Sequence, residues 1–199
     1  MKQPRVFERS DIVETALELI RRDGWRAVTA RNIAKHMGSS TMPIYSHMKS
    51  LEMLEHDLKE RSRALMGEYQ QRTYLGTPLL DTAIGYVAFA RDEKNLFRFL
   101  YLERPDVSES QDLQSMRDAF YTQFGKNTDR GKLLDQIPAA RQEGLIRNSH
   151  IFTHGLAMMV NAGILNPDDQ HIAVCLSEAG EAFYLLEQQK ETRKEVLDE

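Results

Sequence analysis

Residues 29–48 read TARNIAKHMGSSTMPIYSHM, and the rest of the chain is best read outward from them. Thr29 offers the side-chain oxygen of a helix N-cap, and Ile33, Ala34 and Met37 follow at three-to-four spacing, which predicts a helix over 30–37. Gly38 suits the left-handed conformation that ends such a helix. Ser39 or Ser40 then caps a shorter helix reaching Met48, with Pro43 in its first turn, where no intrahelical partner is lost. Two short helices around a tight Gly-Ser-Ser turn have the length and layout of a helix-turn-helix.

Upstream, Ile12, Val13, Ala16, Leu17 and Ile20 keep helical spacing over about 9–23; Gly24 ends the helix and Trp25 is placed to pack back on it. Downstream, Ser50 caps a long fourth helix carrying Leu51, Leu54, Leu58 and Leu65 toward about residue 72. Pro78 opens a helix over 78–91, and EKNLFRFLYLE (93–103) forms a short one that Pro105 ends. Residues 111–124 are amphipathic, and GKNTDRG (125–131) reads as a loop and a candidate for mobility. Further helices are expected over 132–142, 150–165 and 169–194, separated by Gly144 and an Asn166-Pro167 turn. No stretch sustains period-two alternation, so the fold class is all-α.

The 199 residues are 41% hydrophobic and 28% charged, which excludes a disordered or fibrous chain. No apolar run approaches the ~20 residues that cross a bilayer, and the start MKQPRVFERSD lacks a signal-peptide core, so a cytoplasmic protein with no membrane partner is expected. The single Cys175, within IAVCL, excludes an internal disulfide or a multi-thiolate zinc site and reads as a packing residue. The net charge of −4 hides an asymmetry: residues 1–50 carry nine Lys and Arg against five Asp and Glu, and 51–199 carry seventeen against twenty-five. A basic head on an acidic body is expected where one end meets phosphate.

The run DIVETALELIRRDGWRAVTARNIAKHMGSSTMPIYSHMKSLEML (11–54) resembles the N-terminal domain of TetR-family transcription regulators in order and spacing. The shared pattern is a helix, Gly-aromatic, a Thr cap, Ile-Ala, Gly, a short helix with Tyr, then a leucine-rich helix. The resemblance implies a DNA-binding domain over 1–50 and a helical ligand-binding and dimerisation domain over 51–199, joined by the fourth helix. It also implies a homodimer through the last two long helices, a palindromic operator and repression released by a small-molecule effector. Tyr45 and His47 stand at its backbone-contacting positions, and Arg31 where the family's namesake carries a base-contacting arginine. Two positions depart from the pattern: Met48 replaces a usual Phe, and Leu51 replaces a usual Lys that contacts phosphate, a role that falls to Lys49 if it is kept.

The chemistry of these residues suits the reading on its own terms. Ser39, Ser40, Thr41 and Pro43 are short or polar, so a helix backbone can approach base edges, Pro43 and the Thr41 methyl could touch a thymine methyl, and Ser46 is a further DNA-binding candidate. Tyr45, His47 and Lys49 can reach phosphate oxygens, and the Arg31 fork suits guanine O6 and N7. Thr29 opens a helix N-terminus that favours phosphate. Lys2, Arg5 and Arg9 form either an arm along the backbone or a solvated tail.

In the body, Phe89, Phe97, Tyr101, Met116, Phe120, His154 and Met158 are candidate pocket residues, because Met- and aromatic-rich apolar linings suit adaptable ligand sites, although the same residues also make cores. The FTHGLAMM stretch (152–159) resembles a His-Gly element of one TetR subgroup, so His154 faces the pocket or is a satisfied core histidine. His150 and His154 lie four apart, but no nearby carboxylate completes a metal set, and neither a metal nor a cofactor is expected. Ile172, Leu176, Ala179, Ala182, Phe183 and Leu186 form an apolar stripe that is either core or, since the last two helices carry it together, a twofold four-helix interface, the reading favoured here. With no phosphate loop, nucleophile elbow or convincing carboxylate pair, an enzyme is not expected. A helical protein-binding adaptor is the first alternative and an all-α hydrolase a more distant one.

Overall fold

The computed structural model describes residues 7–48, 50–104 and 138–197, and every regular element among them is helical. The elements are α1 (Arg9–Asp23), a 3-10 turn (Trp25–Ala27), α2 (Ala30–Met37), α3 (Met42–His47), α4 (Leu51–Gln70), α5 (Pro78–Asp92) and α6 (Lys94–Arg98). A π-helical turn (Phe99–Glu103) continues α6, and α7 (Ala139–Asn161) and α8 (Asp169–Leu197) follow. Two compact units emerge: residues 7–68 with 92–104, and residues 69–91 with 138–197. No helix among the described residues is long and apolar enough to cross a membrane.

The first unit has its core on the inner face of α1, where Ile12, Ala16, Leu17, Leu19 and Ile20 are buried with Ile33, Ile44 and Leu58. Each fully buried aliphatic side chain contributes about 1.5–3 kcal/mol. As the sequence predicts, α1 stops at Gly24, whose φ of 81° suits glycine and whose N–H bonds the Ile20 carbonyl at 2.8 Å. Trp25 is buried, and its ring stacks on Phe99 with centroids 4.9 Å apart.

Residues 92–104 are tied to that end of α1. The Arg21 guanidinium makes two bonds to Glu93, at 3.0 and 2.9 Å. The Asn95 amide donates to the Arg21 carbonyl at 2.9 Å, satisfying one of the acceptors a helix C-terminus leaves over. Arg104 lies over the Trp25 ring, 5.5 Å from its centroid. The segment 93–103 is therefore helical as predicted, but its second half widens to a π turn, closed by Arg104 N–H on the Phe99 carbonyl at 3.1 Å.

On α4, Ser50 Oγ accepts from Met53 N–H at 3.2 Å, the expected cap, and Leu54, Leu58 and Leu65 are buried. Leu51, in the first turn, lies past that buried stripe and is 52% exposed. The Arg9 guanidinium is occupied by both oxygens of Asp57, each at 2.7 Å, which fixes it on α4 instead of in a free arm.

In the second unit, α5 lies so close to the end of α4 that a Cβ on Gly85 would overlap the Tyr69 carbonyl and the Gln70 backbone. Tyr69 meets Phe89 edge to face, with centroids 5.6 Å apart. Asn161 donates to the Ala90 carbonyl at 2.9 Å, and Arg91 pairs with Asp169 at 2.7 Å, so α5 is bonded to both α7 and α8.

Three expectations are corrected in this unit. Gly144 does not break a helix: α7 runs through it from Ala139 to Asn161, because a helical glycine costs only about 1 kcal/mol and its missing Cβ admits the Glu187 carboxylate. The helix then ends short of residue 165, at a turn where Gly163 takes φ 74°. Cys175 is exposed, because Ile172, Ala173 and Leu176 take the inner face of α8 and the 3.6-residue period turns 174 and 175 outward. The predicted helix at 111–124, the loop at 125–131, the start of the helix at 132–142, Pro105, Lys2, Arg5, Lys49, Met116 and Phe120 lie outside the described residues.

Candidate nucleic-acid interface

Helices α2 and α3 present one surface, and local bonding fixes its shape. Thr29 Oγ1 accepts from Asn32 N–H at 3.1 Å, capping α2, and the Asn32 amide returns to the Ala27 carbonyl at 2.9 Å. At the other end Gly38 is left-handed, with φ 64° and ψ 35°. Ser39 N–H reaches back to the Ala34 carbonyl at 2.9 Å, the long bond of a Schellman end. Ser39 Oγ donates to the Ser40 carbonyl at 3.0 Å, so neither serine caps α3; Thr41 is its N-cap residue, without a side-chain bond. Pro43 sits in the first turn, as predicted.

Because Ile44 and Met48 are buried, the rest of α3 turns outward. Tyr45 is 69% exposed, Ser46 and His47 are exposed, and Arg31 and Ser40 are exposed beside them. Ser39, Thr41 and Pro43 are half-buried, and Ser46 Oγ donates to the Pro43 carbonyl at 2.8 Å. The sequence reading missed Met42, which at 76% is the most exposed large apolar side chain described. Its position two residues before the inward Ile44 was the available signal.

Charge separates this surface from the rest of the first unit. Elsewhere the cations are paired: Arg9 with Asp57, Arg61 with Glu14, Arg63 with Glu60, and Arg22 with Asp23. The hydrogen bond from Arg22 holds the Asp23 carboxyl below its ordinary range. Between Asp23 and Glu52 the sequence carries Arg26, Arg31, Lys35 and Lys49 with no Asp or Glu at all. Among the described residues no carboxylate pairs with Arg31 or Lys35. The hydrogen bond from Ser50 holds the carboxyl of Glu52, bordering the stretch, below its ordinary range. Unpaired cations, exposed hydroxyls and a phenol on a stretch of chain without carboxylates have the chemistry to meet a phosphate backbone.

The candidate pocket residues separate by unit. Phe97 and Tyr101 belong to the first, with ring centroids 4.9 Å apart, and the Tyr101 hydroxyl donates to Met66 Sδ at 3.6 Å. Phe89, His154 and Met158 belong to the second. Phe89 and Phe97 are fully buried. The His154 Nδ1 lies 2.8 Å from the Tyr86 hydroxyl, and the His150 ring lies one helical turn away, tilted 33° to the His154 ring with centroids 6.1 Å apart. Among the described residues no three His, Cys, Asp or Glu side chains gather as a metal site would need.

Apolar side chains are exposed along α7 and α8. They include Ile151 at 61%, Met159 at 42%, Val174 at 50% and Leu185 at 49%. Of the predicted stripe on α8, Ile172 and Leu176 are buried, Ala179 and Phe183 are half-buried, and Ala182 and Leu186 are exposed. Searches against protein-family models and against curated protein sequences give no match for this chain.

Proposed function

We propose that the chain is a sequence-specific DNA-binding transcription regulator, resembling the TetR family, with a reading surface between Thr29 and Lys49. The observation that carries this is the surface of α2 and α3, which exposes Arg31, Ser40, Tyr45 and His47 on a stretch of chain, residues 24–51, that contains no Asp or Glu. In this reading α3 lies in the major groove, Arg31 bonds a guanine, and Tyr45, His47 and Lys49 hold the phosphates.

Two copies pair through α7 and α8. Support comes from Ile151, Met159, Val174 and Leu185, apolar side chains that one copy leaves in water and a second would cover. A twofold dimer sets two reading helices a whole number of DNA turns apart, ~34 Å each, and so selects a palindrome. A small-molecule effector binds the second unit and releases the DNA. Because α4 continues from the first unit into the second at Glu68, an effector that prefers one setting of α4 changes the spacing of the reading helices. The coupling equals the difference in its affinity for the two settings.

Selection of bound sequences from random duplex DNA tests the reading. A palindrome with two half-sites is expected, and enrichment of none defeats it. Arg31→Ala should relax one position and cost ~1–3 kcal/mol there, whereas Tyr45→Phe should weaken all sites alike.

A further inference from the structure

The side chain that most invites a role on α3 is Met42. It is 76% exposed, while Ile44 and Met48 on the opposite side of the helix are buried. Tyr45 and Ser46 follow at three and four residues, which places them on the same outward face. An apolar thioether held in water on a six-residue helix contributes nothing to the core of its own unit. The two residues that share its face, Tyr45 and Ser46, carry hydroxyls, and the stretch of chain around it holds Arg26, Arg31 and Lys35 with no carboxylate, a composition unlike a protein-binding surface, which centres on apolar area.

Resting on the DNA-binding reading above, we infer that Met42 is a specificity-determining residue that reads the C5-methyl group of a thymine in the major groove. The groove floor offers one apolar group, the thymine methyl, and an unbranched flexible side chain in the first turn of the inserted helix is suited to cover it. The half-buried Thr41 and Pro43 have less free surface for that contact. Arg31 would then supply polar discrimination at one base pair and Met42 apolar discrimination at another.

The test replaces thymines of the selected operator one at a time by deoxyuridine, which removes only the methyl group, and measures affinity for the full chain and for Met42→Ala. One position in each half-site should favour thymine by about fourfold, the value of one buried methyl group, and Met42→Ala should reduce that ratio to about one. Met42→Leu, which keeps an apolar side chain of similar reach, should retain most of it. A thymine preference that survives Met42→Ala, or no thymine preference at any position, overturns the assignment while leaving DNA binding intact. A chain that binds no duplex above random sequence overturns both.

Discussion

At Thr29 one hydroxyl closes the start of α2 and stands at the edge of the cationic surface. Loss of its bond to Asn32 N–H leaves a helix donor without a protein partner, so Thr29→Ala should lower the unfolding free energy by about 1 kcal/mol, with Thr29→Ser restoring it, as read by denaturant titration. Glycines divide in the same way by what surrounds them. Gly85→Ala should cost about 1–3 kcal/mol or more, because the new methyl meets the Tyr69 and Gln70 backbone, which no rotamer change can move. Gly67 on α4 meets nothing, so Gly67→Ala should gain about 0.5–1 kcal/mol in the same titration. Thr29, Gly24 and Gly38 were legible in the sequence because capping chemistry is local. Met42 and Cys175 were not, because their exposure depends on which way a neighbouring residue turns, and an apolar run such as IAVCL reads as core until the helix is phased.

The elements themselves followed the sequence closely wherever a cap or a proline marked a boundary, as for α1, α2 and α5. They departed from it where a long-range contact decided. Gly144 stays inside α7 because a carboxylate from α8 lies against it, and no local pattern announces a partner forty-three residues away. The bonding of residues 92–104 to α1 through Arg21, Glu93 and Asn95 was equally invisible, since ion pairs and amide bonds leave no periodicity. The start of α8 yields a prediction with a definite sign. Asp168 accepts from the His171 N–H and faces the His171 ring, and these bonds hold its carboxyl below the ordinary value of 3.8. A carboxyl with a lowered value in the folded state adds stability above its ordinary value and loses it as pH falls through the lowered one. The His171 amide resonance should therefore shift with a midpoint below 3.8, and Asp168→Asn should abolish that shift, as followed by NMR titration.

For the molecule as a whole, the exposed apolar side chains of α7 and α8 bear on assembly. On the proposed dimer, Ile151→Arg with Leu185→Arg should leave a monomer in analytical ultracentrifugation and, through loss of the second half-site, weaken binding to the proposed operator far more than to a half-site. An unchanged sedimentation coefficient would remove α7 and α8 as the interface. The stacking of Trp25 on Phe99, described above as packing, has a different meaning for anyone who would transplant α2 and α3. The unit that holds α2 and α3 is written in two stretches of gene, because Phe99, Glu93 and Asn95 complete the end of α1. A chimaera that grafts residues 1–50 onto a foreign domain would carry a bare indole and an Arg21 guanidinium left with Glu18 alone; the portable cassette must bring residues 92–104 with it.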